Sequence, residues 1–489
     1  MSDTEQNIVE EPSTVTNDVS ESTEAQPAVT LLNFPSTISV RFVTRNEEQQ
    51  VTESAINLPS DLTRFGLSEI VNHLLHGEGE ENKEKHVPFE FLVEYKETKK
   101  AFLRTSLKKF FVKTQKYPES TITIEYVEAQ PAPKCVDTIP HDDWVSDIKF
   151  DPITNTLFTG CYDKFVRIID PDSSDPEKRV LATAKHPRPV QNIVCAHSSD
   201  GLYFASASKD ENARVWKVLK DDNDRINGAE CRMILRGHLM NVNDLSVNPS
   251  ANGELLCTAS DDRTIKIWQV DLEHKKPHLF NQELESDEQP TTKKVKRTYK
   301  SFNAIGTLGT TSGNKGEGHT LGITCVTWAH KGSIYSGSND HTIRQWDVAR
   351  AELTSTISGS KVVSSLTLNQ DLNLILTAHP DHLVRMWDPR MSSRASIFRS
   401  HKAWVRRVEW QVGGGHQFVS CGDDNQVKVW DVRSALPLHS VSHSSEQSLH
   451  QSGRKNVSPF KVLSISYCDN ETIYSGSTDT TLKKHKIKN

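Results

Sequence analysis

The sequence predicts a mainly β protein, in which a small α+β domain precedes a closed ring of seven four-stranded sheets. Three observations predict it. A turn-and-strand string of the form SGSNDHTIRQWD, Ser336 to Asp347, recurs along the chain. A His stands upstream of most copies. Residues 30–128 carry no such string and order instead as β, β, α, β, β, α, β. A repeat period of roughly forty to fifty residues is that of a propeller blade, a unit that buries its apolar faces only against its neighbours.

Residues 1–29 hold seven acidic residues and no Lys or Arg. They lack an apolar period and are expected to be a disordered acidic tail. In residues 30–128, TISVRFVTR alternates as a strand and SAINLP reads as a second. LSEIVNHLL places Leu67, Ile70, Val71, Leu74 and Leu75 on one helical face, with Ser68 as a candidate N-cap. HGEGEE breaks that helix. PFEFLVEY is a third strand, AFLRTS a short fourth, SLKKFFVKT a second helix and STITIEYVE the last strand. This order resembles the ubiquitin-like roll, a compact α+β fold.

Residues 134–489 hold the repeats. The turn Asp of each copy is Asp163, Asp210, Asp262, Asp340, Asp381, Asp424 and Asp479, at spacings of 47, 52, 78, 41, 43 and 55 residues. Trp216, Trp268, Trp346, Trp387 and Trp430 follow at a constant offset, while Ile169 and His485 stand there in the first and last copies. The upstream His is His141, His186, His238, His319 or His401, and the fifth copy has Ser360 in that place. These strings resemble WD-repeat propellers. The resemblance implies that the His, a strand Ser or Thr, the turn Asp and the Trp are hydrogen-bonded inside each blade, which is how a buried His and Asp are tolerated. Five near-copies point to a scaffold, not to five catalytic pairs. The fifth blade, without its His, is expected to be looser.

The last copy stops at LKKHKIKN, one strand short. KCVDTIPH, Lys134 to His141, stands where CRMILRGH stands before His238. This segment is therefore expected to pair with the last blade and close the ring, removing free sheet edges. Residues 273–316 account for the long spacing and are expected to form a disordered insert beyond the third blade. They carry KKVKR, in which Lys293, Lys294, Lys296 and Arg297 form a nuclear-import or RNA-phosphate candidate, set against a plain solvated cluster.

Composition narrows the function. A net charge of −6 makes the whole chain an unpromising nucleic-acid binder. No apolar run reaches membrane-spanning length, and no secretory leader is expected. The 8 Cys are scattered singly, as buried thiols of a reducing compartment would be. His439, His443 and His450 stand near one another, but no Cys or carboxylate cluster accompanies them, which argues against a metal site. Nucleophile elbow, P-loop and dinucleotide turn are all lacking, so neither an enzyme nor a cofactor is expected.

DLTRFGLSEIVNHLL (Asp61 to Leu75), VPFEFLVEY (Val87 to Tyr95), FLRTSLKKFF and STITIEY resemble the Notchless-like N-terminal domain. Joined to a seven-repeat ring with a long insert, they resemble a WD-repeat family of ribosome-biogenesis factors. Notchless itself, with a tighter ring of more repeats, is the alternative. The resemblance implies an assembly factor for the large ribosomal subunit in nucleolus and nucleoplasm. It implies a trimer with the pescadillo and block-of-proliferation proteins, the ring docking on the latter. It also implies that the N-terminal domain offers a Glu to the metal in the adhesion site of midasin, a nuclear AAA ATPase that pulls the factor off the particle. The matching residue in KYPESTITIEY is Glu119, which follows Pro118 in a turn. A Mg²⁺ with an open position seeks one more anionic oxygen, and a stiffened loop presents it at low ordering cost. Glu78, Glu80 and Glu81 are its rivals. Trp144, Trp404, Arg406 and Arg407 follow blade His positions and are interface candidates. A substrate receptor for a ubiquitin ligase is the competing class; the stretch after Tyr126, VEAQPAPK, lacks the Gly-Gly of a conjugated ubiquitin.

Overall fold

The computed structural model describes residues 34–487, apart from 45, 47–48, 52–53, 77–86, 97–98, 115–120, 199–200, 250–252, 271–299, 303, 310–317, 330–331, 392–395, 414, 435, 444–459 and 469–470. The chain divides into two compact units, Met1–Ala129 and Gln130–Asn489.

The first unit follows the expected order. Its elements are β1 (Thr37–Val43), β2 (Ile56–Pro59), α1 (Arg64–His76), β3 (Phe89–Lys96), β4 (Lys99–Phe102), α2 (Leu107–Thr114) and β5 (Ile122–Glu128). The sheet order is β2-β1-β5-β3-β4, with β1 and β5 parallel at its centre. Alternation sends Val40, Phe42, Phe91 and Ile124 to one face, where Leu67 and Val71 of α1 and Phe111 of α2 cover them. Two details differ from the sequence reading. Helix α1 starts a turn earlier than Ser68, and the Leu67 N–H bonds the carbonyl of Thr63, which stands at the cap. Ser68 is instead buried inside the helix, where its Oγ accepts from the Phe89 N–H at 3.1 Å and so pins α1 to β3. Leu74 is also partly exposed instead of joining the core.

The second unit holds seven sheets among the described residues. The blade of the opening string shows the pattern: Ile323–Trp328, Ser333–Ser338, Thr342–Asp347 and Glu352–Ser358, antiparallel in sequence order from inside out. The inner strands adjoin one another in order, and Val462–Tyr467 adjoins Val145–Asp151, so the sheets form a closed ring. Closure uses β6 (Lys134–Pro140), which pairs antiparallel with Thr481–Lys486 as the outer strand of the seventh blade. A buried cluster of Ile139, Val145 and Ile148 with Tyr474 and Leu482 seals this junction.

The insert departs from expectation at its C-terminal end. Residues 271–299, with Lys293, Lys294, Lys296 and Arg297, lie outside the described residues. Lys300–Phe302, however, adds a parallel strand beside Ile226–Leu235 of the second blade, and Gly306–Leu308 is the outer strand of the third. The insertion is thus within the third blade, between its third and fourth strands, because the blade still needs a fourth strand to cover Ile265 and Ile267.

Six of the seven inner strands carry a β-bulge near their start, at Val145/Asp147, Val190/Asn192, Val242/Asp244, Ile323/Cys325, Val405/Arg407 and Val462/Ser464. A bulge leaves one residue unpaired and re-aims its neighbours. Here the extra residues, among them Ser146, Gln191, Asn243 and Arg406, line the central channel.

Candidate functional site

The blade residues come together in three ways. In the third, fourth and sixth blades the full four-residue chain forms. Trp268 Nε1–H donates to Thr258 Oγ1 at 2.9 Å, that hydroxyl bonds His238 Nε2 at 2.7 Å, and His238 Nδ1 bonds Asp262 at 2.8 Å. Trp346, Ser336, His319 and Asp340 repeat it at 2.8 Å in each link. Trp430, Ser420, His401 and Asp424 do so again. Burial alone would raise the carboxyls of Asp262 and Asp340. The imidazole and Thr hydroxyl bonds outweigh it and hold both well below the usual carboxylate range.

In the first and second blades the His and turn Asp are not joined, contrary to expectation. Arg167 takes Asp163, and Arg214 takes Asp210 at 2.6 Å. His141 Nε2 meets Thr159 at 3.0 Å, while its Nδ1 faces the Ile139 carbonyl. His186 Nδ1 accepts from Arg214 at 2.8 Å, so its proton sits on Nε2 toward Ser206, which also accepts from Trp216. Burial, then the neighbouring guanidinium, pushes His141 down to about 4 and His186 well below its ordinary value. The cause is local. Thr264 and Thr342 donate to the turn Asp in the third and fourth blades, but Phe165 and Asn212 occupy that position here. The next Arg therefore claims the carboxylate.

The fifth and seventh blades correct two readings. The fifth does have a buried imidazole. His379 stands two residues before Asp381, and its Nε2 meets Thr377 Oγ1 at 2.8 Å, the hydroxyl that accepts from Trp387. Asp381 pairs with Arg385 at 2.6 Å. In the seventh, His443 Nδ1 meets Ser475 at 2.8 Å and its Nε2 faces Thr481 at 3.1 Å and Asp479 at 3.4 Å. His485, in the Trp position, bonds the same Ser475 at 2.9 Å. His443 is thus a blade residue of the seventh sheet. Its spacing to the strand Ser is stretched by residues 444–459, which hid it in the sequence.

The channel is the second feature. It encloses about 510 Å³. Two ion pairs cross it from the first blade to the sixth: Arg407 to Asp147 at 2.7 Å and Lys149 to Glu409 at 2.8 Å. They pass the seventh inner strand, which offers only Ser464 and Ser466 at the equivalent positions. Asp147 and Asp244 also accept backbone N–H groups of the following or facing blade, Ile193 at 2.8 Å and Val326 at 2.7 Å. Arg407 is therefore a half-buried channel residue, paired across the ring.

The third feature is the face carrying the loops after each blade His. Trp144 is 46% exposed and rests on Tyr162; Trp404 is 50% exposed beneath the guanidinium of Arg406, which Asp423 holds at 2.6 Å. Leu239, Met240 and Leu321 are exposed in equivalent loops. Large apolar groups so concentrated suit protein docking. Glu119, Glu78, Glu80 and Glu81 lie outside the described residues, and so does His450.

Comparison with known proteins agrees with this organisation. Residues 38–111 match the NLE (NUC135) domain. Residues 133–170, 180–217, 229–269, 311–347, 351–388 and 392–431 match the WD domain, G-beta repeat. The chain is 30% identical over 455 residues to a protein of Oryza sativa subsp. japonica named Ribosome biogenesis protein WDR12 homolog, covering 91% of this chain and 95% of that one. Proteins of the same name from Dictyostelium discoideum (30% over 471 residues, 92% and 95% covered) and Nematostella vectensis (28% over 454 residues, 91% and 98% covered) are similar throughout.

Proposed function

Because the chain belongs to the family of ribosome biogenesis proteins named WDR12 homologues, we propose that it is a non-enzymatic assembly factor of the large ribosomal subunit, acting in nucleolus and nucleoplasm. One observation carries this reading: an NLE-matching α+β unit is joined to a rigid ring that exposes Trp144, Leu239, Met240, Leu321 and Trp404 in loops of one kind. The ring is built for docking. Its His, Ser and Asp groups are spent inside the blades, each beside its own hydrogen-bond partner.

In this proposal the loop face seats the block-of-proliferation protein, within a trimer that includes pescadillo. The N-terminal unit engages the adhesion site of midasin, where Glu119 supplies one carboxylate oxygen to the metal held there. Lys293, Lys294, Lys296 and Arg297 serve nuclear import. The support for Glu119 is its place in the sequence between α2 and β5, directly after Pro118, whose ring restricts the backbone.

Affinity purification of tagged wild-type and Glu119→Ala chains, with mass spectrometry of what co-purifies, tests it. Wild type should bring pescadillo, the block-of-proliferation protein and large-subunit precursors. The variant should keep these, lose midasin and accumulate on particles. Cullin adaptors in place of pre-ribosomal proteins would overturn the assembly role, and normal midasin recovery with Glu119→Ala would overturn the Glu119 assignment.

A further inference from the structure

Three cations, Lys149, Arg406 and Arg407, and three carboxylates, Asp244, Asp261 and Glu409, line the channel, but they are not paired with one another throughout. Lys149 is paired with Glu409, Arg407 with Asp147 and Arg406 with Asp423. Asp244 and Asp261 also line the cavity, and among the described residues neither has a cation within salt-bridge distance. One oxygen of Asp244 accepts from Val326 N–H, and Asp261 accepts from Asn243 Nδ2 at 2.7 Å. Their direct contacts are neutral donors, with Arg407 acting on Asp244 only from beyond ion-pair distance, and a carboxylate out of bulk water seeks a cation in direct contact.

The open hydrogen-bonding atoms point the same way. The side-chain oxygen of Asn192, a residue only 2% exposed, has no partner although it lines the cavity. Glu409 Oε2 is likewise open. Buried polar atoms are almost always satisfied, so a group of unsatisfied ones around one cavity marks a ligand. The acceptors are carboxylates and a carboxamide on three different blades. No cluster of three His, Cys, Asp or Glu side chains among the described residues could hold a metal ion. A cation carrying several N–H donors fits the set; a bare divalent ion does not.

We propose that the channel is a binding site for a primary alkylammonium group, with Asp244 as its counter-charge and Asn192 and Glu409 as further acceptors. Such a group comes from a free polyamine or from a Lys side chain inserted by a docked protein. Gln191 Nε2, an unpartnered donor facing the same cavity, favours a ligand with an acceptor near the ammonium. A lysyl peptide has one in its carbonyl; a simple diamine has none. The site is independent of Glu119 and of the partners proposed above.

Calorimetric titration of the full chain with cadaverine and with N-acetyl-lysinamide tests the proposal at constant ionic strength. Saturable binding of at least one is expected. Asp244→Asn should weaken it about tenfold or more, since Asn keeps an acceptor for Val326 N–H but removes the charge. Asp222→Asn, at an exposed turn, should leave it unchanged. Asn192→Leu is the second variant, because it removes the open acceptor at similar volume, and it too should weaken binding. Tighter binding of the lysinamide identifies a protein side chain as the natural ligand, and tighter cadaverine binding a free polyamine. No saturable binding of either, or equal binding by the wild-type and Asp244→Asn chains, overturns the site.

Discussion

His443 Nδ1 and Ser475 Oγ lie 2.8 Å apart although 32 residues separate them in the chain. The imidazole thus reaches the seventh blade from across an insertion and replaces the His that no repeat pattern supplies. His443→Ala takes one of two partners from each of the hydroxyls of Ser475 and Thr481, which keep His485 and Asp479, and opens a cavity. A loss of about 2–3 kcal/mol is expected. His439→Ala, at a half-buried position, should cost clearly less. Urea unfolding of the two variants, followed by tryptophan fluorescence, makes the comparison.

The buried imidazoles make stability depend on pH. His141 and His379 are pushed down to about 4, and His485 to about 3, in each case first by burial and then by a neighbouring basic group. Their folded values lie below the unfolded value of about 6.5. The stability they contribute is full above that value and is lost as pH falls toward 4. Asp244 opposes them. Burial raises it to about 6 despite Arg407, so its charge destabilises the fold above that pH and ceases to do so as pH falls toward 4. Thermal unfolding should therefore show Asp244→Asn more stable than wild type at pH 7.5, by about 1–2 kcal/mol, with the gain gone near pH 4. His141→Gln should flatten the wild-type decline between pH 6.5 and 4. Parallel wild-type and variant curves would contradict both assignments.

Arg407 and Asp147 form a second pair whose disruption has a defined cost. Asp147 is fully buried, and removing its cation strands the carboxylate. Arg407→Met should destabilise by about 3–5 kcal/mol, and adding Asp147→Asn should recover part of it, since Asn still accepts from Ile193 N–H. A double-variant midshift in thermal unfolding no smaller than that of Arg407→Met alone would refute the pairing.

The residue after each turn Asp has a positive φ: Lys164, Glu211, Arg263, His341, His382, Asn425 and Thr480. This left-handed position closes the turn between the second and third strands. Asn425, and less so His341 and His382, suit it, and Thr480, at φ 64°, is β-branched and suits it least. Thr480→Gly should stabilise the chain by about 0.4–1 kcal/mol, read as a rise in Tm, whereas Asn425→Val should lower it.

The ring and its closure were legible because the repeat writes the same strand pattern seven times, and because Lys134–His141 has the composition of an outer strand without a blade of its own. The wiring inside each blade was less legible. It turns on two positions after the Asp. A Thr two residues on, at Thr264, Thr342 and Thr481, holds the Asp for His. Where that Thr is missing and an Arg stands four residues on, Arg167, Arg214 or Arg385 captures it, whereas the sixth blade, with Gln426 and Lys428 there, keeps its Asp424–His401 bond. That competition depends on distances that spacing does not encode. His379 was hidden because it follows directly on the end of the second strand, Leu374–Ala378, instead of standing in the loop before the blade. The cross-channel pairs were invisible because Lys149 and Glu409 are 260 residues apart and meet only when the ring closes.

The strand that closes the ring also decides how the protein bears load. Four residues separate the end of the first unit from β6, whose pairing runs from Lys134↔Lys486 to Pro140↔Thr481. Tension applied through the first unit meets Gln130 first, whose carbonyl and side chain bond His439 and Gln417 of the sixth blade at 3.0 Å each, and then the latch. Beyond Gln130, Arg179, which grips Asp137 at 3.0 Å from the first blade, and buried Ile139 resist it. A tug on the N-terminal unit is a mechanical pull on the seam of the propeller, and the strength of that seam sets how hard the molecule can be hauled before it opens.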